Sequence, residues 1–301
     1  MMNRPKQGRF VDPESPRGYC IDYADVADAY AGEGIPETPA GVARLALGDL
    51  ERYLARGTPG ARGRFERAVT WLTRNTETIP GGFSGWAMPD PPRPFAGELP
   101  GAWFCGRVHA ECLAVLVRGG TILGNTEAVA AARGAFGGFE TLVDEGGFAR
   151  EIAEEGTESG LESPLFIESY PLPELSLELL GHTTAMLAVH DYGRVAEPER
   201  AGRLFRRLAD GLAYLIDLYD TGAWSLADLD ERWRGRRLAS APEHRVHILH
   251  LRELERMTGA PILGETALRW GEYDASPLHV LRAGTRYAAF RMMNPGAPGG
   301  G

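Results

Sequence analysis

Cysteine is nearly missing from this chain. Three residues, Cys20, Cys105 and Cys112, stand among 301. The odd number and wide spacing exclude a disulfide framework or a cysteine-rich metal site. Cys105 and Cys112, seven apart near one helical face, are expected as reduced, packed thiols. No apolar run approaches the roughly 20 residues needed to cross a bilayer. The opening "MMNRPKQGRFVDPESPRGYC" lacks the apolar core of a secretion signal. A cytoplasmic chain without a membrane partner is the expectation. Positive charge is in deficit, with 32 Lys and Arg against 41 Asp and Glu and a net charge of −9. That balance argues against nucleic acid as a partner. Nucleotide motifs are absent too: no GxGxxG after a strand, no P-loop, no GxSxG, and no HExxH for zinc. The expected chemistry is cofactor-independent, without a metal, because acid/base proton transfer needs only side chains.

What the chain does have is helical rhythm. With 44% hydrophobic residues it can bury a sizeable core. "GVARLALGDLERYLARG" puts Val42, Leu45, Leu50, Tyr53 and Leu54 on one stripe, and similar stripes recur to "GETALRWGEY". They amount to about eight helices, most followed by a glycine turn. The apolar stretch "ELSLELLGHTTAMLAVHDYG" predicts a buried helix starting near Glu174. Short links alternate with three long loops, 75–102, 144–174 and 219–241, and long loops in a compact domain tend to carry function. This rhythm predicts an all-α fold, an incomplete (α/α) toroid with its long loops on one face; a simple bundle is the rival. "GGFARE" and "SPLFIESY" predict a small β-hairpin. The expected division is a wrapping segment at 1–35, the toroid at 36–285 and a flexible Gly/Pro tail at 286–301.

Four constellations could carry chemistry. In "FIESYPLPE", Pro171 and Pro173 forbid helix and would hold Glu168 and Tyr170 rigidly on a rim, as a pair for proton transfer or for binding a hydroxylated substrate. The rival reading is a stiff linker with Tyr170 as packing. In "APEHRVHILHLRE", Pro242 marks a first helical turn, so Glu243 and His244 stand at a helix N-terminus, with His247 on the same face. The helix dipole there should lower the Glu243 pKa and keep His244 neutral, as a general base needs. Capping and an amphipathic face are the rival. In "WFCGRVHAECLAV", Arg107, His109 and Glu111 open an apolar helix and could line a cleft; an exposed Arg107–Glu111 pair is the alternative. In "LYDTGAWSLADL", Tyr219, Asp220 and Asp228 crowd a turn at Gly222. Trp86 and Trp103 on another long loop could offer flat faces to a sugar ring or a peptide side chain.

Together "YDTG" at 219–222, "ESYP" at 168–171 and "AVLVRGG" at 114–120 resemble the C-terminal catalytic region of D-glucuronyl C5-epimerases, which invert uronic acids in heparan-type polysaccharides. The resemblance spans roughly residues 35–275 and implies an incomplete (α/α) toroid. It also implies removal of a proton beside a carboxylate and its return to the opposite face, with family tyrosines taking part. Tyr170 matches the first of these. Ala227 stands at the second and Glu243 at the third, while His244 and His247 match two family histidines and Asp228 is kept. Two family glutamines become His109 and Glu111, and an asparagine becomes Leu180. A carboxylate (reference pKa about 4.3) is a different proton carrier from a phenol (about 10).

The resemblance therefore implies an epimerase-like isomerase acting on a changed, intracellular substrate. A uronate-like sugar, a modified peptide or a small natural product would fit. Tyr170, Glu243, His244 and His247 would be the acid/base set. Arg107, His109, Glu111, Glu168, Tyr219, Asp220, Asp228, Trp86 and Trp103 would bind substrate. A lyase or cyclase and a non-catalytic binding protein on the same toroid are the alternatives, and a homodimer is possible.

Overall fold

The computed structural model describes residues 37–79, 81–99, 102–152 and 162–297. The expected wrapping segment, Cys20 and the last four residues of the tail lie outside them. Nine α-helices are found among the described residues. They are α1 (Pro39–Arg56), α2 (Pro59–Arg74), α3 (Gly106–Leu123), α4 (Thr126–Phe136), α5 (Leu179–Val195), α6 (Pro198–Leu215), α7 (Ala241–Thr258), α8 (Pro261–Ala275) and α9 (Pro277–Met293).

Local chemistry sets the ends. Thr38 accepts a hydrogen bond from the Gly41 N–H at 3.2 Å, and Pro39 takes a first-turn position that needs no donor. Ser240 and Glu243 form a reciprocal capping box on α7. Glycines close α1, α3 and α7 in the left-handed conformation.

The helices pair as hairpins: α1 with α2, α3 with α4, α5 with α6, and α7 with α8. The first member of each pair also packs on the first member of the next, giving a row α1–α3–α5–α7. Because each hairpin reverses direction, these four helices begin at the same end. This is an all-α, incomplete (α/α) toroid, and the long loops before α3, α5 and α7 meet at its one open face. Three two-stranded antiparallel ladders brace those loops. They pair β1 (Glu77–Thr78) with β2 (Ser84–Gly85), β3 (Ala87–Met88) with β4 (Trp103–Phe104), and β5 (Ala149–Glu151) with β6 (Leu165–Ile167). The last is the expected hairpin, built of the two segments named from sequence.

The core runs along the row. On α5 every residue from Leu179 to Val189 is buried, as its apolar run predicted. Two boundaries differ from expectation. α5 begins at Leu179, not near Glu174. α9 runs unbroken through 285 to Met293, so no domain boundary falls there. It buries only Ala283 and Phe290 and carries a weak apolar stripe. Cys105 and Cys112 are free and buried, and burial pushes the Cys105 thiol up to about 12.

Candidate active site

β6 delivers Glu168, Ser169 and Tyr170 to the open face. His182 on α5 fixes the strand: its Nδ1 accepts from the Ile167 N–H at 3.0 Å, its Nε2 donates to the Leu208 carbonyl at 3.2 Å, and its ring stacks on Phe166. Glu168 then locks the next turn. Its carboxylate accepts from the Ser176 N–H, the Ser176 hydroxyl and the Leu177 N–H at 3.1, 2.9 and 3.0 Å, with Arg150 3.8 Å away. Leu177 sits at φ +50°, a left-handed conformation that costs a leucine of order 1–3 kcal/mol. The Tyr219 hydroxyl holds it from the other side by donating to the Leu177 carbonyl at 2.6 Å. This strained turn breaks the apolar pattern before α5 and swings Glu178 into the N-cap position.

Glu178 belongs to a buried cluster of charges. Arg237 lies at its centre, 2.6 Å from Asp228, 3.6 Å from Glu243 and 4.0 Å from Glu178. Arg107 stands 3.8 Å from Glu178 and 3.4 Å from Glu111, which Arg44 also reaches at 3.1 Å. Ser169 Oγ donates to Glu178 in a short contact. All of these but Arg44 are buried, so the Arg107–Glu111 pair is no exposed surface contact. Tyr170 is half-buried above them, its ring stacked on Trp103 at 5.8 Å and packed on Phe95 at 4.8 Å. Its phenol feels Glu178, Arg237 and Arg107.

The electrostatics are lopsided. Asp228, Glu178 and Glu243 share Arg237 and Arg107, and Arg107 is already engaged with Glu111. Burial, opposed by Arg237, pushes the Asp228 carboxyl up to about 7. Burial also raises Glu243, opposed first by Arg237. This corrects the expected lowering, because loss of water outweighs the helix dipole at this N-terminus. Burial keeps the Tyr170 phenol protonated well past its ordinary value, helped by Glu178. The cluster therefore holds a proton near neutral pH. Glu243 Oε1 and Arg237 Nη2 are buried and make no hydrogen bond among the described residues.

One face of α7 lines the same place with histidines. Burial lowers His244 to about 4 and His250 to about 3, and sets His247 well below the usual range, so all three are neutral. His244 is stacked on Trp224 at 3.8 Å, and both its nitrogens are engaged. His247 Nε2 makes no hydrogen bond among the described residues, and the guanidiniums of Arg107 and Arg237 act on the ring.

The structure brings Tyr170, Glu243, His247, Arg107, Glu111 and Asp228 together, with Trp103 behind Tyr170. The remaining candidates are engaged in other contacts. Trp86 is buried and donates to the Leu72 carbonyl at 2.9 Å. His109 donates to the Ala135 carbonyl at 2.8 Å within a ring of Phe83, Trp86, Phe139 and Phe148. Tyr219 and Glu168 build the Leu177 turn. Asp220 pairs with Arg269 on α8 at 2.6 Å and closes its own turn onto the Gly222 N–H. Ala227 is fully buried; its carbonyl accepts from the Leu179 N–H and its N–H donates to the Arg237 carbonyl, so it ties α5 to the arginine loop. Arg237, Glu178, His182 and Ser225 were not picked from sequence. The only signal for Arg237 was its place in the arginine-rich "RWRGRR" before α7.

Residues 94–272 match a family described as D-glucuronyl C5-epimerase C-terminus. Among solved structures, the chain is similar to an unsaturated glucuronyl hydrolase responsible for glycosaminoglycan degradation, from Bacillus sp. GL1. The two share 14% identity at a TM-score of 0.49, over 82% of this chain and 65% of that one. The chain thus spans just under two thirds of that enzyme's length.

Proposed function

The chain belongs to the D-glucuronyl C5-epimerase C-terminus family, and from that premise we propose that its open face moves a proton at a carbon next to a carboxylate. The observation that carries this reading is the buried meeting of two guanidiniums, an under-satisfied carboxylate and a half-buried phenol. Arg107 and Arg237 suit a substrate carboxylate, and Arg237 Nη2 has no hydrogen bond among the described residues. When the neighbouring carbon loses its proton, the electron pair moves into that carboxylate. The same guanidiniums then face the charge that develops.

The two sides of the cluster differ as inversion requires. Tyr170 is a neutral phenol, a proton donor rather than a base. The base comes from α7, where Glu243 and His247 stand one turn apart. Removing a proton from one face and returning one from Tyr170 to the other is an isomerisation with no net redox change, and solvent resets both groups. The substrate class is a carboxylate with an acidic C–H: a uronate-like sugar first, a modified peptide or small natural product second. Tyr170, backed by the buried Trp103, is the aromatic group that would meet the substrate.

The test is incubation in D2O with uronate-containing oligosaccharides and carboxylate-bearing peptides, read by mass spectrometry and NMR. The expected result is one deuterium at the inverted carbon. A new ultraviolet absorbance without inversion would instead mean elimination. No exchange with any of these substrates would sink the reading.

A further inference from the structure

A chain of hydrogen bonds enters the site from behind, and its direction is fixed. It starts at the Trp270 carbonyl, which can only accept, so His244 Nε2, 3.2 Å away, carries a hydrogen. His244 is neutral, so its Nδ1 is bare. That agrees with the Ser225 N–H donating to the same Nδ1 at 3.3 Å. The Ser225 hydroxyl stands 2.7 Å from His244 Nδ1 and must donate to it. Ser225 Oγ can then only accept from its other partner, His247 Nδ1, at 3.1 Å. His247 is neutral as well. Its one ring hydrogen is therefore on Nδ1, and Nε2 keeps its lone pair.

That lone pair is the buried Nε2 that has no hydrogen bond among the described residues. It lies on the ring edge away from Ser225, and Arg107 and Arg237, the guanidiniums that suit a substrate carboxylate, act on this ring. The other base on this face is more committed. Glu243 Oε2 accepts from the Ser240 N–H in the capping box, and Oε1 lies 3.6 Å from Arg237.

We infer that Ser225 and His244 are positioning residues that lock His247 as its Nδ1–H tautomer, so that His247 Nε2 is the base of the proposed reaction. The base role rests on the proton-transfer reading of the site; the tautomer lock does not. In the step itself, Nε2 takes the substrate proton and the C–H electron pair passes into the carboxylate. The imidazolium keeps its Nδ1–H on Ser225. Arg107 and Arg237 disfavour the new charge, so the proton leaves readily. Thr183 fixes His250 in the same way: its hydroxyl donates to the Leu179 carbonyl at 3.0 Å and accepts from His250 Nδ1 at 2.8 Å. His250 does not touch Ser225 and serves as an internal control.

The test uses the full chain labelled with 15N-histidine. In the wild type at neutral pH, His247 should show a protonated Nδ1 and a bare Nε2. Ser225→Ala should turn His247 into a tautomer mixture and leave His250 unchanged. In D2O, Ser225→Ala should lower kcat for exchange about 10–100-fold with KM unchanged, and Ser225→Thr, which restores the hydroxyl, should recover it. A wild-type His247 with its hydrogen on Nε2 overturns the inference, whether or not the Ser225→Ala protein folds. Equal loss in the Thr and Ala variants also overturns it. If the wild type shows the bare Nε2 but exchanges no substrate, the proton-transfer reading and the base role fall while the tautomer lock stands.

Discussion

Glu168 and Glu243 are both buried at the open face of the toroid, yet they are held in opposite ways. Glu168 accepts three hydrogen bonds from the turn it closes and faces Arg150. Glu243 keeps one capping bond on Oε2, and its Oε1 makes no hydrogen bond among the described residues and lies 3.6 Å from Arg237. A satisfied buried carboxylate builds structure, whereas an under-satisfied one leaves capacity for a ligand. The same division separates Tyr219, buried and bonded to Leu177, from Tyr170, half-buried and open. Residue type cannot make that distinction; the count of partners can.

The sharpest way to break the comparison is at its centre. Arg237→Met leaves Asp228 and Glu243 without their nearest cation and Glu178 with Arg107 alone. The expected cost is about 3–5 kcal/mol of stability by urea unfolding, and about 10²–10³-fold in exchange rate if the protein folds. Unchanged stability would mean that the three carboxylates do not depend on Arg237.

Next comes pH. The Asp228 pKa is raised from an unfolded value near 3.8 to about 7. The native state therefore binds the proton more tightly, and its contribution to stability is complete below about pH 4 and lost as pH rises through about 7. Asp228→Asn should flatten the unfolding free energy over that window. A slope kept in the variant would place the titrating proton elsewhere.

On the structural side, Tyr219→Phe should cost about 1–3 kcal/mol by urea unfolding, because it leaves the Leu177 carbonyl unpaired behind a strained turn. The smallest effect is expected at Asp220→Ala. Its partner Arg269 is 40% exposed, and such pairs are worth about 0–1 kcal/mol. A larger loss in exchange than in stability there would return Asp220 to the substrate-binding set.

Most of the fold is readable because α1 to α8 each keep an apolar stripe and the links alternate short and long. α9 escaped because it buries too few side chains to show a stripe. The start of α5 escaped because "ELSLELLGH" continues the apolar pattern through a break made by Leu177, and leucine is not a residue that announces a left-handed turn. At the site, Tyr170 is visible just before its prolines and Glu243 just after its own. Arg237 was hidden among Arg232, Arg234 and Arg236, which look like one solvated run until burial singles out the last. Glu243 stands at the helix N-terminus that Pro242 predicts, but its proton affinity is raised where the dipole alone implies lowering, since burial depends on loops distant in sequence. His109 and Trp86 have the right types for a site and fill the aromatic core instead.

The central claim is that this cluster has an acid on one side of the substrate and a base on the other. Tyr170→Phe in D2O with a uronate substrate of the wild-type enzyme tests it most directly. The account predicts that deuterium still enters on the face served by α7, with retention, while inversion stops. Inversion at the wild-type rate in Tyr170→Phe would contradict it.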